Sequence, residues 1–207
     1  MLVSEIFCSI QGEGKNVGKP AVFLRLGGCN LKCKWCDTKY TWEEGNDNHG
    51  LLLEDVLKEI KKYRLKHLVV TGGEPLLQQE ELIDLLQQLP GYFVEVETNG
   101  SISSKIDDLV DQYNCSPKLS NSGSEPYPLQ IKPSPKTFYK FVVDQPKDIE
   151  EIDEYVQENK ISLEFVYLMP QGIKIKDLNE KSIWLADICK ERGYNYSPRL
   201  QILLGIK

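Results

Sequence analysis

Short apolar runs closed by glycine alternate along the chain with stretches in which apolar residues recur every third or fourth position. The first pattern predicts buried strands and the second predicts helices with one apolar face. Residues 20–26, Pro-Ala-Val-Phe-Leu-Arg-Leu, form such a run, and Gly27-Gly28 end it. From Leu53 the positions Leu53, Val56, Leu57, Ile60 and Tyr63 share one helical face. Lys58, Lys61, Lys62 and Arg64 fall on the other side, toward the end where the macrodipole favours cations. Residues 67–70 read as a second strand. After Thr71-Gly72-Gly73-Glu74-Pro75 the apolar face Leu77, Leu82, Leu85, Leu86 and Leu89 predicts another helix, stopped by Pro90-Gly91. Strands at 92–98, 137–143 and 163–169 and helices at 147–159 and 178–192 continue the series.

Strands that alternate with helices imply right-handed β-α-β units on a parallel sheet, whose active sites gather at the C-terminal strand ends. The strands are fewer than the eight of a closed barrel, so the expected fold is α/β, an open, partial β/α barrel. Residues 115–135 carry Pro117, Pro126, Pro128 and Pro133 among serines and asparagines, and read as a long loop. No internal repeat is visible.

Composition narrows the function classes. A chain of 207 residues with 41% hydrophobic content suits one core, so residues 1–207 are expected to form one domain. A net charge of -6, with no Lys/Arg block longer than a pair, argues against nucleic acid as partner. No apolar run is long enough to span a bilayer, and Met1-Leu2-Val3-Ser4-Glu5 does not open like a signal peptide. No membrane partner and a cytoplasmic location are therefore expected. In that compartment the six cysteines read as thiols or metal ligands rather than disulfides. Cys8, Cys115 and Cys189 are scattered and read as half-buried structural thiols, and neither His49 nor His67 is given a role.

The chemistry concentrates in Gly27-Gly28-Cys29-Asn30-Leu31-Lys32-Cys33-Lys34-Trp35-Cys36-Asp37-Thr38, a C-x3-C-x2-C run just past a strand. Three thiolates on one loop can hold three irons of a four-iron cluster and leave the fourth open. A structural zinc site wants four protein ligands and usually shows paired C-x2-C knuckles. A second signal is Gly72-Gly73-Glu74-Pro75 after the next strand, where paired glycines allow a close backbone approach. Residues 92–98 alternate so that Phe93, Glu95 and Glu97 share one face, which brings an acid to a strand's C-terminal end. Ser116-Pro117-Lys118 and Met169-Pro170-Gln171-Gly172 read by themselves as polar turns.

The cysteine loop followed by the Gly-Gly-Glu-Pro turn resembles the radical S-adenosylmethionine enzymes. The resemblance implies a [4Fe-4S] cluster on Cys29, Cys33 and Cys36, with S-adenosylmethionine chelating the open iron. It further implies cofactor contacts from Gly72, Gly73 and Glu74, from Glu97 to the ribose, and from Ser116, Pro117, Lys118, Met169, Pro170, Gln171 and Gly172 to the nucleoside.

A narrower likeness lies in Ile6-Phe7-Cys8-Ser9-Ile10-Gln11-Gly12-Glu13-Gly14, in Phe23-Leu24-Arg25-Leu26-Gly27-Gly28-Cys29, and in Trp35-Cys36-Asp37-Thr38. Together with Thr71-Gly72-Gly73-Glu74-Pro75 and Ser116-Pro117-Lys118, these make the chain similar to the 7-carboxy-7-deazaguanine synthase family. That likeness implies a homodimeric lyase forming 7-carboxy-7-deazaguanine from 6-carboxy-5,6,7,8-tetrahydropterin with loss of ammonia, toward queuosine and other deazapurines. The 5'-deoxyadenosyl radical is expected to abstract hydrogen at C6 of the pterin. By the same likeness Ile10, Gln11, Gly12, Glu13, Arg25 and Thr71 contact this pterin-like substrate, with Arg25 suited to its carboxylate. The likeness also implies that Thr38 ligates Mg2+, an oxygen-seeking ion that keeps several waters. Lys207, at the end of the sequence, is implied as a further substrate contact, although relatives with that contact carry proline there. A flavodoxin or ferredoxin is the implied electron donor. No residue is assigned as general acid or base. The competing readings are a glycyl-radical-enzyme activase, which shares the cysteine spacing, and a non-catalytic iron-sulfur or zinc module.

Overall fold

The computed structural model describes residues 1–43 and 48–207. The elements in chain order begin with β1 (Leu2–Ile10), β2 (Pro20–Leu26), β3 (His49–Gly50), α1 (Leu53–Lys61) and β4 (His67–Gly72). They continue with α2 (Gln79–Leu86), β5 (Phe93–Thr98), β6 (Gln112–Cys115), β7 (Thr137–Val143) and α3 (Asp148–Glu158). The series ends with β8 (Val166–Pro170), α4 (Ile175–Arg192), β9 (Asn195–Tyr196) and α5 (Leu200–Leu204). The strands form one open sheet in the order β3-β1-β2-β4-β5-β6-β7-β8-β9. β1 runs antiparallel to β2 and β3, and from β2 to β9 every neighbour pair is parallel. This is the expected partial β/α barrel.

Successive side chains on a strand point to opposite faces, and the two faces here differ in chemistry. Val22, Leu24 and Leu26 on β2, Leu68 and Val70 on β4, Val94 and Val96 on β5, and Tyr139, Phe141 and Val143 on β7 join one apolar core with α1, α2, α3 and α4. The alternate residues face inward: Phe7, Ala21, Phe23 and Val69 form a small apolar floor, with Phe7 and Phe23 stacked at 5.1 Å. A register shift between Val3 and Glu5 sets the phase of β1, so Val3 packs into the core while Glu5 lies opposite Arg25 on the inner face. A bulge of this kind re-aims side chains without ending the pairing.

Several expectations are corrected. Pro75–Gln78 is a 3-10 turn, started by Pro75 and capped by the Glu74 carboxylate on Leu76 N, so the helix begins only at Gln79 and Leu77 is 48% exposed. Leu163–Phe165 is likewise a turn before β8, and α4 starts at Ile175 rather than 178. The sequence pattern did not mark β1, β6 or β9 as strands. Cys8 is exposed rather than half-buried, whereas Cys115 and Cys189 are buried. Among the described residues no helix is long and apolar enough to cross a membrane.

Candidate active site

The cysteine loop leaves β2 and is fitted against the glycine turn that leaves β4. Gly73 N donates to Leu26 O at 3.1 Å and Glu74 N to Gly28 O at 2.9 Å. A methyl on Gly72, whose φ is +141°, would lie 2.2 Å from Leu26 O, and one on Gly73 would lie 2.0 Å from Gly28 O. The glycines are thus required first by the packing of one loop on the other, before any ligand is considered. The far side of the cysteine loop is pinned by Lys34 N to Ser122 O at 2.9 Å and Trp35 Nε1 to Asn121 O at 2.9 Å.

Cys29, Cys33 and Cys36 are free thiols, and all three line one cavity of about 240 Å³ at the C-terminal ends of the parallel strands. Burial pushes the Cys29 thiol up to about 11, so the neutral thiol prevails until a metal takes the proton's place. Among the described residues no group of three His, Cys, Asp or Glu converges closely enough to share one ion. Three thiolates on one short loop suit a cluster, in which each takes a different iron. Three sulfur donors on one loop, with Gly72 and Gly73 beside them, fit the implied [4Fe-4S] group.

Thr38 lies on the same cavity wall, its Oγ1 3.7 Å from Cys36 Sγ. Ser116, Lys118, Met169 and Gln171 also line it, and Lys118 Nζ donates to Ser116 O and Oγ at 2.6 and 2.7 Å. Burial lowers the pKa of this lysine. Glu97 accepts from Thr71 Oγ1 at 2.8 Å and Gln11 Nε2 at 3.1 Å. Four expected cofactor residues stand outside the lining. Glu74 is fully buried and braces Thr98 Oγ1 and Asn99 N at 2.8 and 2.7 Å; burial raises its pKa. Pro117 faces a smaller cavity, Pro170 ends β8, and Gly172 offers its carbonyl to Arg199.

Ile10, Gln11, Gly12, Glu13, Arg25, Thr71 and Lys207 all line the cavity. Arg25 Nε donates to Glu5 Oε1 at 2.8 Å, and this sets the guanidinium while, among the described residues, both terminal nitrogens are left for a ligand. Lys207 Nζ pairs with Glu5 and sits 4.7 Å from the Phe7 ring centroid, and its carbonyl accepts from Ser9 Oγ. Gln11 is held from beneath by Glu95, which is fully buried and accepts from Gln11 Nε2 at 2.6 Å, Asn16 Nδ2 at 2.6 Å and Asn114 Nδ2 at 2.5 Å. His67 Nε2 completes that shell at 2.9 Å, giving His67 a structural role.

Sequence reasoning missed Lys140, Arg199 and Gln201, which surround Glu13, and Asp37, which pairs with Arg199. Lys140 Nζ lies 2.5 Å from Glu13 Oε2, while Arg199 Nε and Gln201 Nε2 donate to Glu13 Oε1 at 3.1 and 2.7 Å. Burial would raise the Glu13 carboxyl, but Lys140 and Arg199 overcome it and hold it well below the usual carboxylate range. A lysine inside the apolar run 137–143 was the available signal, because lysine is almost never buried without a partner.

The chain matches the Radical SAM superfamily model over residues 24–118. It is 41% identical to the 7-carboxy-7-deazaguanine synthase of Pyrobaculum aerophilum over 210 residues, covering 97% of this chain and 93% of that protein. To the enzyme of the same name from Rhodopirellula baltica it is 37% identical, covering 98% and 85%. The crystal structure of QueE from Escherichia coli matches with a TM-score of 0.75 at 28% identity, covering 96% of this chain and 93% of that one. Streptococcus suis SuiB bound to S-adenosylmethionine, at 16% identity, a TM-score of 0.52 and coverage of 82% and 44%, shares the fold. Likeness that runs almost end to end, on a fold that sets three free thiols against a glycine turn, leaves no room for the activase or scaffold readings. The chain belongs to the 7-carboxy-7-deazaguanine synthase family, lyases of the radical S-adenosylmethionine superfamily that work with a [4Fe-4S] cluster and S-adenosylmethionine.

Proposed function

We propose that this chain converts 6-carboxy-5,6,7,8-tetrahydropterin to 7-carboxy-7-deazaguanine with loss of ammonia, toward queuosine and related deazapurines. The observation that carries this reading is one cavity lined at once by the three cysteines, the Gly72-Gly73 turn, Ser116 and Lys118, and the Gln11-Gly12-Glu13 loop with Arg25 and Thr71. When bound, the cluster and S-adenosylmethionine supply a primary carbon radical that takes hydrogen from the substrate. The chain's own work is to hold the reactants in register and keep water out. Cys29, Cys33 and Cys36 would each hold an iron. Gly72, Gly73, Glu97, Ser116, Lys118, Met169 and Gln171 would bind S-adenosylmethionine, with Glu74, Pro117, Pro170 and Gly172 supporting those loops from behind.

On the substrate side, the open fork of Arg25 suits a carboxylate, and Ile10, Gln11, Gly12, Glu13, Thr71 and Lys207 would frame the ring. Thr38, one side chain beyond the last cysteine's neighbour, would ligate Mg2+ together with a substrate oxygen and water. We read residues 1–207 as one domain, supported by a single continuous sheet. Six free cysteines suit a reducing, cytoplasmic compartment. The homodimer and the flavodoxin or ferredoxin donor are carried by family likeness alone. The test is anaerobic incubation of the reconstituted protein with the pterin, S-adenosylmethionine, dithionite and magnesium. Mass spectrometry should find 7-carboxy-7-deazaguanine, and its absence from iron-loaded protein would refute the activity.

A further inference from the structure

Three loops that carry different parts of the site converge on one side chain. Arg199 is 7% exposed and lies between β9 and α5. Its Nε donates to Glu13 Oε1 at 3.1 Å on the loop after β1, and its Nη1 to Gly172 O at 2.5 Å on the loop after β8. Its Nη2 donates to Asp37 Oδ2, on the residue that follows Cys36. Glu13 has a second cation in Lys140, but Asp37 has no other ion-pair partner among the described residues. The turn holding Arg199 is itself seated on the first of these loops. Leu200 N donates to Gly12 O at 2.9 Å, and a methyl on Gly12 would lie 1.9 Å from Gln201 Oε1. Lysine could not replace this arginine, because only a planar fork with several donors reaches three acceptors in fixed directions at once.

We infer that Arg199 is a positioning residue that locks the Gln11-Gly12-Glu13 loop to the Asp37-Thr38 end of the cysteine loop, so that the two keep one spacing. What each loop carries rests on the function proposed above; the lock itself does not. Its importance follows from the chemistry, since a displacement of about 1 Å between reacting groups costs on the order of a hundredfold in rate. Radical formation beside one loop is useful only if the hydrogen held by the other is in reach.

The test uses Arg199→Met, which removes every arm, Arg199→Lys, which keeps the charge but loses the fork, and Asp37→Asn, which weakens one arm and leaves Glu13 paired. Hydrogen exchange on the metal-free proteins should quicken in both residues 9–14 and residues 34–41 for Arg199→Met, and in 34–41 alone for Asp37→Asn. In reconstituted protein, 5'-deoxyadenosine released per product should rise about tenfold or more in Arg199→Met. Arg199→Lys should not restore it. Asp37→Asn should raise the same ratio with the pterin KM within about twofold of the parent, since its substrate loop is intact. Exchange that quickens in one loop only for Arg199→Met, or an unchanged ratio in both Arg199→Met and Asp37→Asn, would overturn the inference. If the parent protein makes no product, the proposed activity fails, and the exchange result still decides the lock.

Discussion

On β5, Val94 and Val96 disappear into the helix-covered core, while Glu95 and Glu97, one residue away, carry hydrogen bonds toward the cavity. The same division runs across β2, where Leu24 is fully buried in the core and Arg25 faces the cavity, and across β7 with Tyr139 and Lys140. The outer face needs only shape and apolar area. The inner face is also largely buried, yet its groups are ionic and must satisfy one another. Glu95 is held by four nitrogen partners and, among the described residues, forms no ion pair with Lys or Arg, whereas Glu13 sits between two cations. Stability and function should therefore separate by face, because a cavity lining built of mutually bonded polar groups contributes specificity where the opposite face contributes cohesion.

The largest expected effect lies on the inner side. Cys33→Ala should abolish product formation and lower bound iron and sulfide, while the melting of the metal-free protein shifts by no more than about 1 kcal/mol. Leu24→Ala is its mirror image. Urea titration of the metal-free protein should show a loss of about 2–5 kcal/mol, with the rate per loaded cluster staying within about threefold of the parent at a temperature where both are folded. Next comes Arg25→Met, for which kcat/KM toward the pterin should fall roughly 10- to 150-fold, equivalent to a charged hydrogen bond of about 1.5–3 kcal/mol. An effect on cluster loading instead would place Arg25 in the metal site.

Glu95→Gln is the variant that breaks the separation. Its amide must turn an N–H toward another donor at a fully buried position, at a cost of about 1–3 kcal/mol, and the shell that holds Gln11 is disturbed. Melting temperature and substrate KM should move together, and a melting change at constant KM would confine Glu95 to the scaffold. The smallest effect concerns acid. The Glu13 carboxyl is depressed in the folded protein, so its stabilisation is complete above its unfolded pKa of about 4.3 and is lost as pH falls below that value. Glu13→Gln should therefore show a shallower loss of stability than the parent below about pH 4.3 in acid titrations followed by circular dichroism.

How much of this was legible in the sequence differs by face as well. The outer face announces itself, because mostly apolar runs at 20–26, 67–70 and 137–143 and helical spacing after Leu53 need no knowledge of partners. Leu77 was misread because its place in the helical pattern ignores the turn that Pro75 and Glu74 impose. β1 escaped because Ser4, Glu5, Cys8 and Ser9 blur its alternation and a bulge shifts its phase. β6 escaped because Gln112 and Asn114 look like loop residues until Glu95 is known to lie beside them. On the inner face the motif residues were readable by family likeness; most of them line one cavity, while Glu74, Pro117, Pro170 and Gly172 stand outside it. Their partners were not readable. Arg199 and Gln201 are far from Glu13 in sequence, and an ion pair between such distant residues leaves no periodic trace.

The register shift between Val3 and Glu5 acts like a change of reading frame within a single strand. Upstream of it, the odd-numbered Val3 serves the helix layer; downstream, the odd-numbered Glu5, Phe7 and Ser9 serve the cavity, with Glu5 and Phe7 bordering Arg25 and Ser9 meeting Lys207. One strand thus answers to two sets of demands. An insertion or deletion of one residue before the shift can be absorbed by sliding the bulge, whereas the same change after it would exchange the acid that orients Arg25 for its neighbour from the opposite face.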